Sequence, residues 1–256
     1  MEQFFQAILS AGQSGLALLG RAVLPVLFPF FVLTSLIINF IPTKQLWVTI
    51  LVSHLSGYPN GTRLAKTLHE QQRITTATAQ HLTVLTSTPS PMFVIATVGT
   101  LFLGSTTCGV LIFICAVGGA LLNGLLWRPT KHQHTQPIQP ISPPTNFLSA
   151  FSQALSSSTS AILNVCGVVF FFYFIAQILH LPAFLSGLLE MTTGTTATSN
   201  LILIEFFVSF GGLSVAMQNM LFIGNFNLRF GHYLAFKFTH AIFACALLAI
   251  CQFLFF

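Results

Sequence analysis

One stretch in the second half of the chain carries the pattern that decides the fold. Residues 183–224 read AFLSGLLEMTTGTTATSNLILIEFFVSFGGLSVAMQNMLFIG. The stretch is mostly apolar, yet small and polar residues interrupt it at 190–196 and again at 209–214. Glycine weakens a helix and frees backbone N–H and C=O groups, which a membrane tolerates only inside protein or beside a wet cavity. The pattern predicts a short helical hairpin with its tip at 190–196, followed by a helix broken at 209–214.

The first half of the chain repeats this order. An apolar segment at 47–55 stops at Ser56-Gly57-Tyr58-Pro59-Asn60-Gly61, and a second apolar segment at 82–103 is interrupted at 86–91. A membrane span needs about 20 apolar residues. Each half therefore comprises a full span, a re-entrant helical hairpin, a broken helix and a second full span. The predicted full spans are 22–41, 105–127, 160–180 and 232–255.

The crossing number of each half predicts how the halves are oriented. A hairpin enters and leaves on one side, so each half crosses the membrane an odd number of times. The second half must then lie upside down relative to the first. Inverted repeats with paired discontinuous helices point to a secondary-transporter site near the bilayer midplane. The predicted fold class is an all-α membrane protein with two inverted-topology repeats. The second hairpin either returns by a short arm or does not reach the outer face.

The composition supports a membrane protein and excludes other classes. Charged residues make up 5% of the chain, against about 25% in soluble domains, and hydrophobic residues make up 54%. The formal net charge of +5 does not indicate a nucleic-acid partner, because the basic residues are thinly spread and flank apolar segments. The five cysteines lie in apolar segments without paired spacing, which predicts neither disulfides nor a metal site.

The chain divides into four regions. We expect an interfacial helix at 1–20, repeat 1 at 21–127, a Pro-rich cytoplasmic linker at 128–146 and repeat 2 at 147–256. Basic residues favour the cytoplasmic side, which predicts that both termini are outside and the linker is inside. In this orientation Arg21 is the only basic residue that lies outside. Eight basic residues are expected inside: Lys44, Arg63, Lys66, Arg73, Arg128, Lys131, Arg229 and Lys237. Lys237 lies within the last span, and we expect its long side chain to extend to the inner surface.

The two tips and two breaks carry the residues expected to bind a solute. Half-helices that end inside the membrane present N–H groups to anions and C=O groups to cations. Because we expect no Lys or Arg beside the tips, the helix N-termini are the predicted anion attractors. Helix packing is the alternative role for any single residue. The predicted substrate-binding residues are Ser56, Gly57, Tyr58, Pro59, Asn60, Gly61, Thr86, Ser87, Thr88, Glu190, Thr192, Thr193, Gly194, Ser209, Gly211, Gly212, Ser214 and Gln218.

Three ionisable residues receive separate interpretations. Glu190 opens the second tip, where it binds a solute, a cation or a proton, or caps the adjacent half-helix. Glu205 is expected near the outer interface, and His54 either transfers protons or packs with a hydrogen bond. The sequence contains no catalytic, metal-binding or ATP-binding motif, so we predict no enzymatic activity and no cofactor other than a coupling Na⁺ or H⁺.

The residues at the tips and breaks resemble a known motif set. They are 57–61 (GYPNG), 90–93 (SPMF) with 97–99 (TVG), 189–194 (LEMTTG) and 209–215 (SFGGLSV). The set is similar to that of the nucleoside-recognition, or Gate, domain membrane proteins, and within them to the YlbJ-type sporulation integral membrane proteins. The resemblance implies a fold related to concentrative nucleoside transporters. Family members in spore-forming bacteria are associated with moving dipicolinic acid, an aromatic dicarboxylate, into the spore.

Two departures from this family affect what is expected. The chain is much shorter than a typical member, and Ser90-Pro91 stands where the family has Gly-Pro. A shorter chain lacks peripheral scaffold helices, so we expect a homodimer that shields the polar breaks from lipid.

The expected function is secondary transport across the bacterial cytoplasmic membrane. The solute would be a small organic molecule, either a dicarboxylate like dipicolinate or a nucleoside-like compound, moved by alternating access at the paired tips. The alternatives are a gate or channel module that works with a partner, and a non-transporting membrane scaffold in sporulation.

Overall fold

A computed structural model describes residues 1–40, 46–127, 146–223 and 226–255 of the protein. Every regular element in these ranges is a helix. The linker predicted at 128–146 lies outside the described residues except for Asn146, which begins the next helix as its N-cap.

The helices of the first half follow the predicted order. Two π-type segments accompany the α-helices: one joins α1 to α2, and the other follows α5 after a four-residue break. The elements are α1 (Glu2–Leu18), a π turn (Leu19–Val23), α2 (Leu24–Phe40), α3 (Leu46–Ser56), α4 (Asn60–Glu70), α5 (Thr76–Thr86), the π arm (Met92–Phe102) and α6 (Thr106–Leu126).

The second half has the same succession with shorter hairpin arms. Its long first helix begins at Phe147, well before the predicted span at 160–180, and continues for 32 residues. The helix that begins directly after Glu190 has only six residues and occupies 191–196, most of the stretch predicted as the second tip. The elements are α7 (Phe147–Ile178), α8 (Ala183–Leu189), α9 (Met191–Thr196), α10 (Leu201–Phe210), α11 (Gly212–Ile223) and α12 (Phe230–Phe255).

Side-chain caps explain where several helices begin. The amide oxygen of Asn146 accepts a hydrogen bond from Leu148 N at 3.0 Å, and Ser105 Oγ accepts one from Cys108 N at 3.3 Å. Asn and Ser are preferred N-caps because they satisfy N–H groups that have no partner within the helix. These caps define the starts of α7 and α6.

Four helical stretches in the described residues are long and apolar enough to cross a membrane, and a bent pair makes up to five. The four are 106–126, 147–178, 201–223 and 230–254. The bent pair joins α1 to α2 at an angle of 44°, so the predicted span at 22–41 continues directly from the N-terminal helix. These findings establish a multi-pass helical membrane protein.

The full spans of the two halves pack against each other in pairs. Helix α2 packs on α7, and α6 packs on α12. Between α6 and α12, a Cβ on Gly119 would stand 2.7 Å from Ala244 N, so glycine permits the close approach. Asn123 joins the same helices, because its Nδ2 donates to Phe236 O at 2.8 Å and its Oδ1 accepts from Thr239 Oγ1 at 2.6 Å. Shorter helices contact these long ones: α3 contacts α2, α5 contacts α6, α8 contacts α7 and α10 contacts α12.

Candidate functional site

The first tip is a tight turn that docks against the first break. Gly57 has φ of +74°, a left-handed conformation that glycine adopts without strain. A Cβ at Gly57 would stand 2.8 Å from Ser90 Cα, and Tyr58 N donates to Thr88 O at 2.7 Å. The tip between α3 and α4 therefore rests on the residues between α5 and the π arm.

We predict that Gly57→Ala lowers the thermal unfolding temperature by roughly 4 °C or more, because a left-handed alanine costs about 1–2 kcal/mol and its methyl group meets Ser90. Circular dichroism of the detergent-purified protein measures the shift. Gly167→Ala is the control, since a Cβ there meets nothing within 4 Å. Equal thermal unfolding temperatures for the two variants would contradict the docking of the first tip against the first break.

The first break carries a buried ammonium group. Lys237 on α12 is 1% exposed, and its Nζ donates to Ser87 O at 2.7 Å. Ser87 is the C-cap of α5, where freed carbonyls favour a cation. Nζ also lies 5.3 Å from the centroid of the Tyr58 ring. The lysine therefore joins the last span to the first break and the first tip.

Two expectations about basic residues are therefore wrong. Lys237 does not reach the inner side of the membrane, because it is buried at the break. Basic side chains do lie beside the tips, since Arg63 Nε donates to Asn60 Oδ1 at 2.8 Å. A buried cation needs hydrogen-bond acceptors to offset its lost hydration, and the freed carbonyl of the break provides one for Lys237.

Two histidines extend this polar region. His240 Nδ1 lies 3.3 Å from Lys237 Nζ, and His240 Nε2 lies 2.8 Å from Ala116 O. His54 Nδ1 lies 2.8 Å from Thr88 Oγ1, which places the histidine in the packed, hydrogen-bonded arrangement that was one of its two interpretations. Among the described residues, His54 Nε2 is buried without a hydrogen-bond partner.

At the second tip, Glu190 caps the helix that follows it. Its Oε2 accepts from Thr193 N at 3.1 Å and from Thr193 Oγ1 at 3.3 Å, and its Oε1 accepts from Thr192 Oγ1 at 3.0 Å. The side chain is 2% exposed. The expectation that helix N-termini attract a solute anion does not hold at α9, because this N-terminus already carries the protein's own carboxyl group.

The second break is made by two glycines. Gly211 and Gly212 have φ of +82° and +74°, and Gly211 N donates to Phe207 O at 2.8 Å to end α10. Ser209 Oγ donates to Glu205 Oε1 at 2.7 Å. Glu205 is fully buried, so the expectation that it reaches the outer interface is wrong. Its Oε2 is buried without a hydrogen-bond partner among the described residues.

The tips and breaks meet around one small cavity. The Tyr58 hydroxyl lies within hydrogen-bonding distance of Val208 O, at 3.2 Å, and of the Met191 sulfur, which connects the first tip to the second half. The cavity volume is about 50 Å³, which holds a few water molecules but is far below the 300–1,000 Å³ of typical ligand pockets. Its polar lining residues are Tyr58, Ser90, Glu190, Thr192, Ser214 and Gln218.

The cavity brings together five of the predicted residues, namely Tyr58, Glu190, Thr192, Ser214 and Gln218. The other predicted residues do not line the cavity and are held in packing or hydrogen-bonding contacts at the tips and breaks. They are Ser56, Gly57, Pro59, Asn60, Gly61, Thr86, Ser87, Thr88, Thr193, Gly194, Ser209, Gly211 and Gly212.

Small residues among this outer group allow close contacts. A Cβ on Gly61 would meet the Thr86 side chain, and a Cβ on Gly194 would stand 2.6 Å from Gly187 Cα. The first contact brings α4 against α5, and the second holds the two arms of the second hairpin together. These glycines therefore permit close packing of the helices that carry the two tips.

Sequence reasoning missed two polar residues of the site as well as the apolar part of the cavity wall. Ser90 lines the cavity, and its Oγ also accepts from Phe93 N at 3.2 Å to begin the π arm. Lys237 lies at the first break. The signal for Lys237 was present, because it is a charged residue inside a predicted apolar span.

The comparisons with known proteins agree with a membrane protein. The chain is 22% identical over 310 aligned residues to the sporulation integral membrane protein YlbJ of Bacillus subtilis (strain 168), covering 93% of this chain and 76% of that protein. No family model matches the chain. No solved structure matches it either. The chain is thus a distant homologue of an integral membrane protein of sporulation.

Proposed function

We propose that the protein is a secondary transporter that moves a small organic solute across the bacterial cytoplasmic membrane. The observation that carries this proposal is the cavity where both hairpin tips and both helix breaks converge, with Tyr58 from the first half and Glu190 from the second in its wall. Helix breaks inside a membrane leave polar backbone groups that a solute or ion can use.

We also propose that the two halves are inverted repeats. The succession of span, hairpin, broken helix and span occurs in both halves, and equivalent spans pair with each other, α2 with α7 and α6 with α12. This pairing is what a pseudo-twofold axis in the membrane plane would produce. Alternating access would then rock one group of helices against the other around the tips.

The lining of the cavity favours a nucleoside-like solute over a dicarboxylate. The Glu190 carboxyl group accepts hydrogen bonds from hydroxyl or N–H groups, which a nucleoside offers and an ionised dicarboxylate does not. Apolar side chains form the rest of the wall, including Phe93, Val165 and Val169, and suit a ring. The small volume belongs to a closed conformation, so the cavity must widen to admit the solute.

The proposed energy source is a gradient of Na⁺ or H⁺. The buried pair of Lys237 and His240 favours H⁺, because both side chains bind protons and their nitrogens lie 3.3 Å apart. The proposed partners are the lipid bilayer, the solute and a second copy of the chain, and the relative's name suggests a role in sporulation.

A solute screen tests the proposed function. We expect uridine or adenosine to raise the thermal unfolding temperature of the purified protein, and to enter proteoliposomes with saturating kinetics. Dipicolinate is the comparison, since a preference for it would overturn the solute class. Flux that does not saturate would favour a gate or channel module, and the absence of flux for every solute would favour a membrane scaffold.

A further inference from the structure

A second, larger cleft lies apart from the cavity at the tips. It has a volume of about 380 Å³, within the range of small-ligand sites. Helices α2, α4, α7 and α11 enclose it. Arg63 and Lys66, two of the basic residues predicted to lie on the cytoplasmic side, line it.

The charge at the base of this cleft comes from Arg63. The side chain is 8% exposed and held firmly: Nη2 donates to Phe31 O at 2.9 Å and to Ser35 Oγ at 2.7 Å, while Nε donates to Asn60 Oδ1 at 2.8 Å. Nη1 makes no hydrogen bond to the described residues. A guanidinium group that is nine-tenths buried therefore presents two N–H donors to the cleft.

The wall of α7 facing Arg63 is polar. Gln153, Ser157, Ser160 and Asn164 all line the cleft, and their spacing of four, three and four residues places them on one face of the helix. All four are exposed. Polar side chains on a membrane helix are normally turned toward protein or water, so this face indicates a wet cleft.

The remaining charges leave the cleft with a positive balance. Lys66 lies one turn beyond Arg63 on α4, and its Nζ is 3.8 Å from Glu70 Oε1. Because Glu70 offsets Lys66, the charge of Arg63 is the uncompensated one among the lining residues.

We propose that this cleft binds a phosphate group, held by Nη1 of Arg63. A rigid guanidinium suits phosphate oxygens, and charge-assisted hydrogen bonds of this kind are about twice as strong as neutral ones. The hydroxyl and amide groups of α7 offer donors from the opposite wall, which suits a tetrahedral group with several oxygens. The phosphate belongs to a free phosphate compound or to a lipid headgroup. Arg63 also donates a hydrogen bond to Asn60 of the first tip, so a group bound to Arg63 would be connected to that tip through a single side chain.

Two measurements test the phosphate site and distinguish the sources. Thermal unfolding in a nonionic detergent compares sodium phosphate with sodium chloride at equal ionic strength. Native mass spectrometry compares retention of phosphatidylglycerol with that of phosphatidylcholine. We expect a phosphate-specific stabilisation if the source is a free compound, and preferential retention of phosphatidylglycerol if it is a lipid.

Variants connect the response to the cleft. Arg63→Gln should weaken the apparent affinity about tenfold or more, and Asn164→Leu should weaken it while leaving the bonds of Arg63 intact. If Arg63→Gln does not fold, the binding response of Asn164→Leu alone tests the site. Arg229→Gln, an exposed arginine outside the cleft, should bind like the parent protein.

Several results would overturn the phosphate site: no phosphate preference in either measurement, a full response in Arg63→Gln or Asn164→Leu, or an equal loss in Arg229→Gln. The site does not depend on the proposed transport, because both measurements record binding rather than uptake.

Discussion

Replacing Lys237 by methionine is expected to reduce solute uptake about tenfold or more. Methionine keeps the apolar stem but removes the ammonium group, which leaves Ser87 O without the donor at 2.7 Å. An unsatisfied buried carbonyl costs about 1–3 kcal/mol, and 1.4 kcal/mol corresponds to a factor of ten. Because Ser87 belongs to the break that contacts the first tip, losing its hydrogen bond should disturb the site itself. Uptake of the solute found in the screen, measured in proteoliposomes, gives the result.

The matched control for this variant is Lys66→Met. Lys66 is partly exposed and pairs with Glu70 at the surface, so its removal should leave uptake within about twofold of the parent. Size-exclusion profiles must show that both variants remain folded. Uptake by Lys237→Met at the parent level would refute a role for the buried lysine in transport.

A second large effect is expected at Glu190, where two substitutions separate capping from solute contact. Glu190→Gln keeps one oxygen that accepts from the N-terminus of α9, so its stability should fall by less than about 1 kcal/mol. Its uptake should nevertheless fall about tenfold or more, because the carboxyl group in the cavity wall is lost. Glu190→Leu removes the cap as well, and should lose both uptake and about 1 kcal/mol of stability.

Uptake and chemical denaturation of both Glu190 variants decide between the roles. Glu70→Gln, a change to an exposed carboxylate, is the control and should alter neither quantity appreciably. If Glu190→Gln transports like the parent protein while Glu190→Leu is destabilised, Glu190 is a helix cap and has no part in solute binding.

The sequence predicted the positions of the helix interruptions because their causes are local. Gly57, Gly211 and Gly212 adopt positive φ, a backbone conformation that glycine reaches without strain. A glycine at positive φ ends a helix through its own backbone conformation, without help from distant residues. The first tip and the second break therefore lie within a few residues of their predicted positions, whereas residues 191–196 of the predicted second tip form a short helix after Glu190.

The partners of these interruptions were not predictable in the same way. Lys237 lies 150 positions from Ser87 in the chain, and only the packing of α12 against the first break brings them together. Glu205 is buried for a similar reason, since α10 packs on α12 rather than facing the outer interface. Side-chain identity alone did not indicate which distant residue contacts each helix break.

The start of α7 shows a further difference. Hydropathy placed the span at 160–180, but the helix begins at Phe147, because Asn146 caps it and the intervening residues are Ser-rich but still helical. A helix of this length is about 48 Å long, well beyond the roughly 30 Å of hydrocarbon. The extra turns carry Gln153 and Ser157, two of the four polar residues of α7 that line the larger cleft.

In the proposed mechanism, the cavity between the tips is reached from each side of the membrane in turn. Single cysteines at Ser90 and Ser214, one from each half, test it in a variant whose native cysteines are alanine. A membrane-impermeant thiol reagent is added to right-side-out vesicles and, separately, to inside-out vesicles, with buried Ala120→Cys as the unreactive control. We predict that both positions react from both sides. Reaction from one side alone, at both positions, would contradict alternating access at the paired tips.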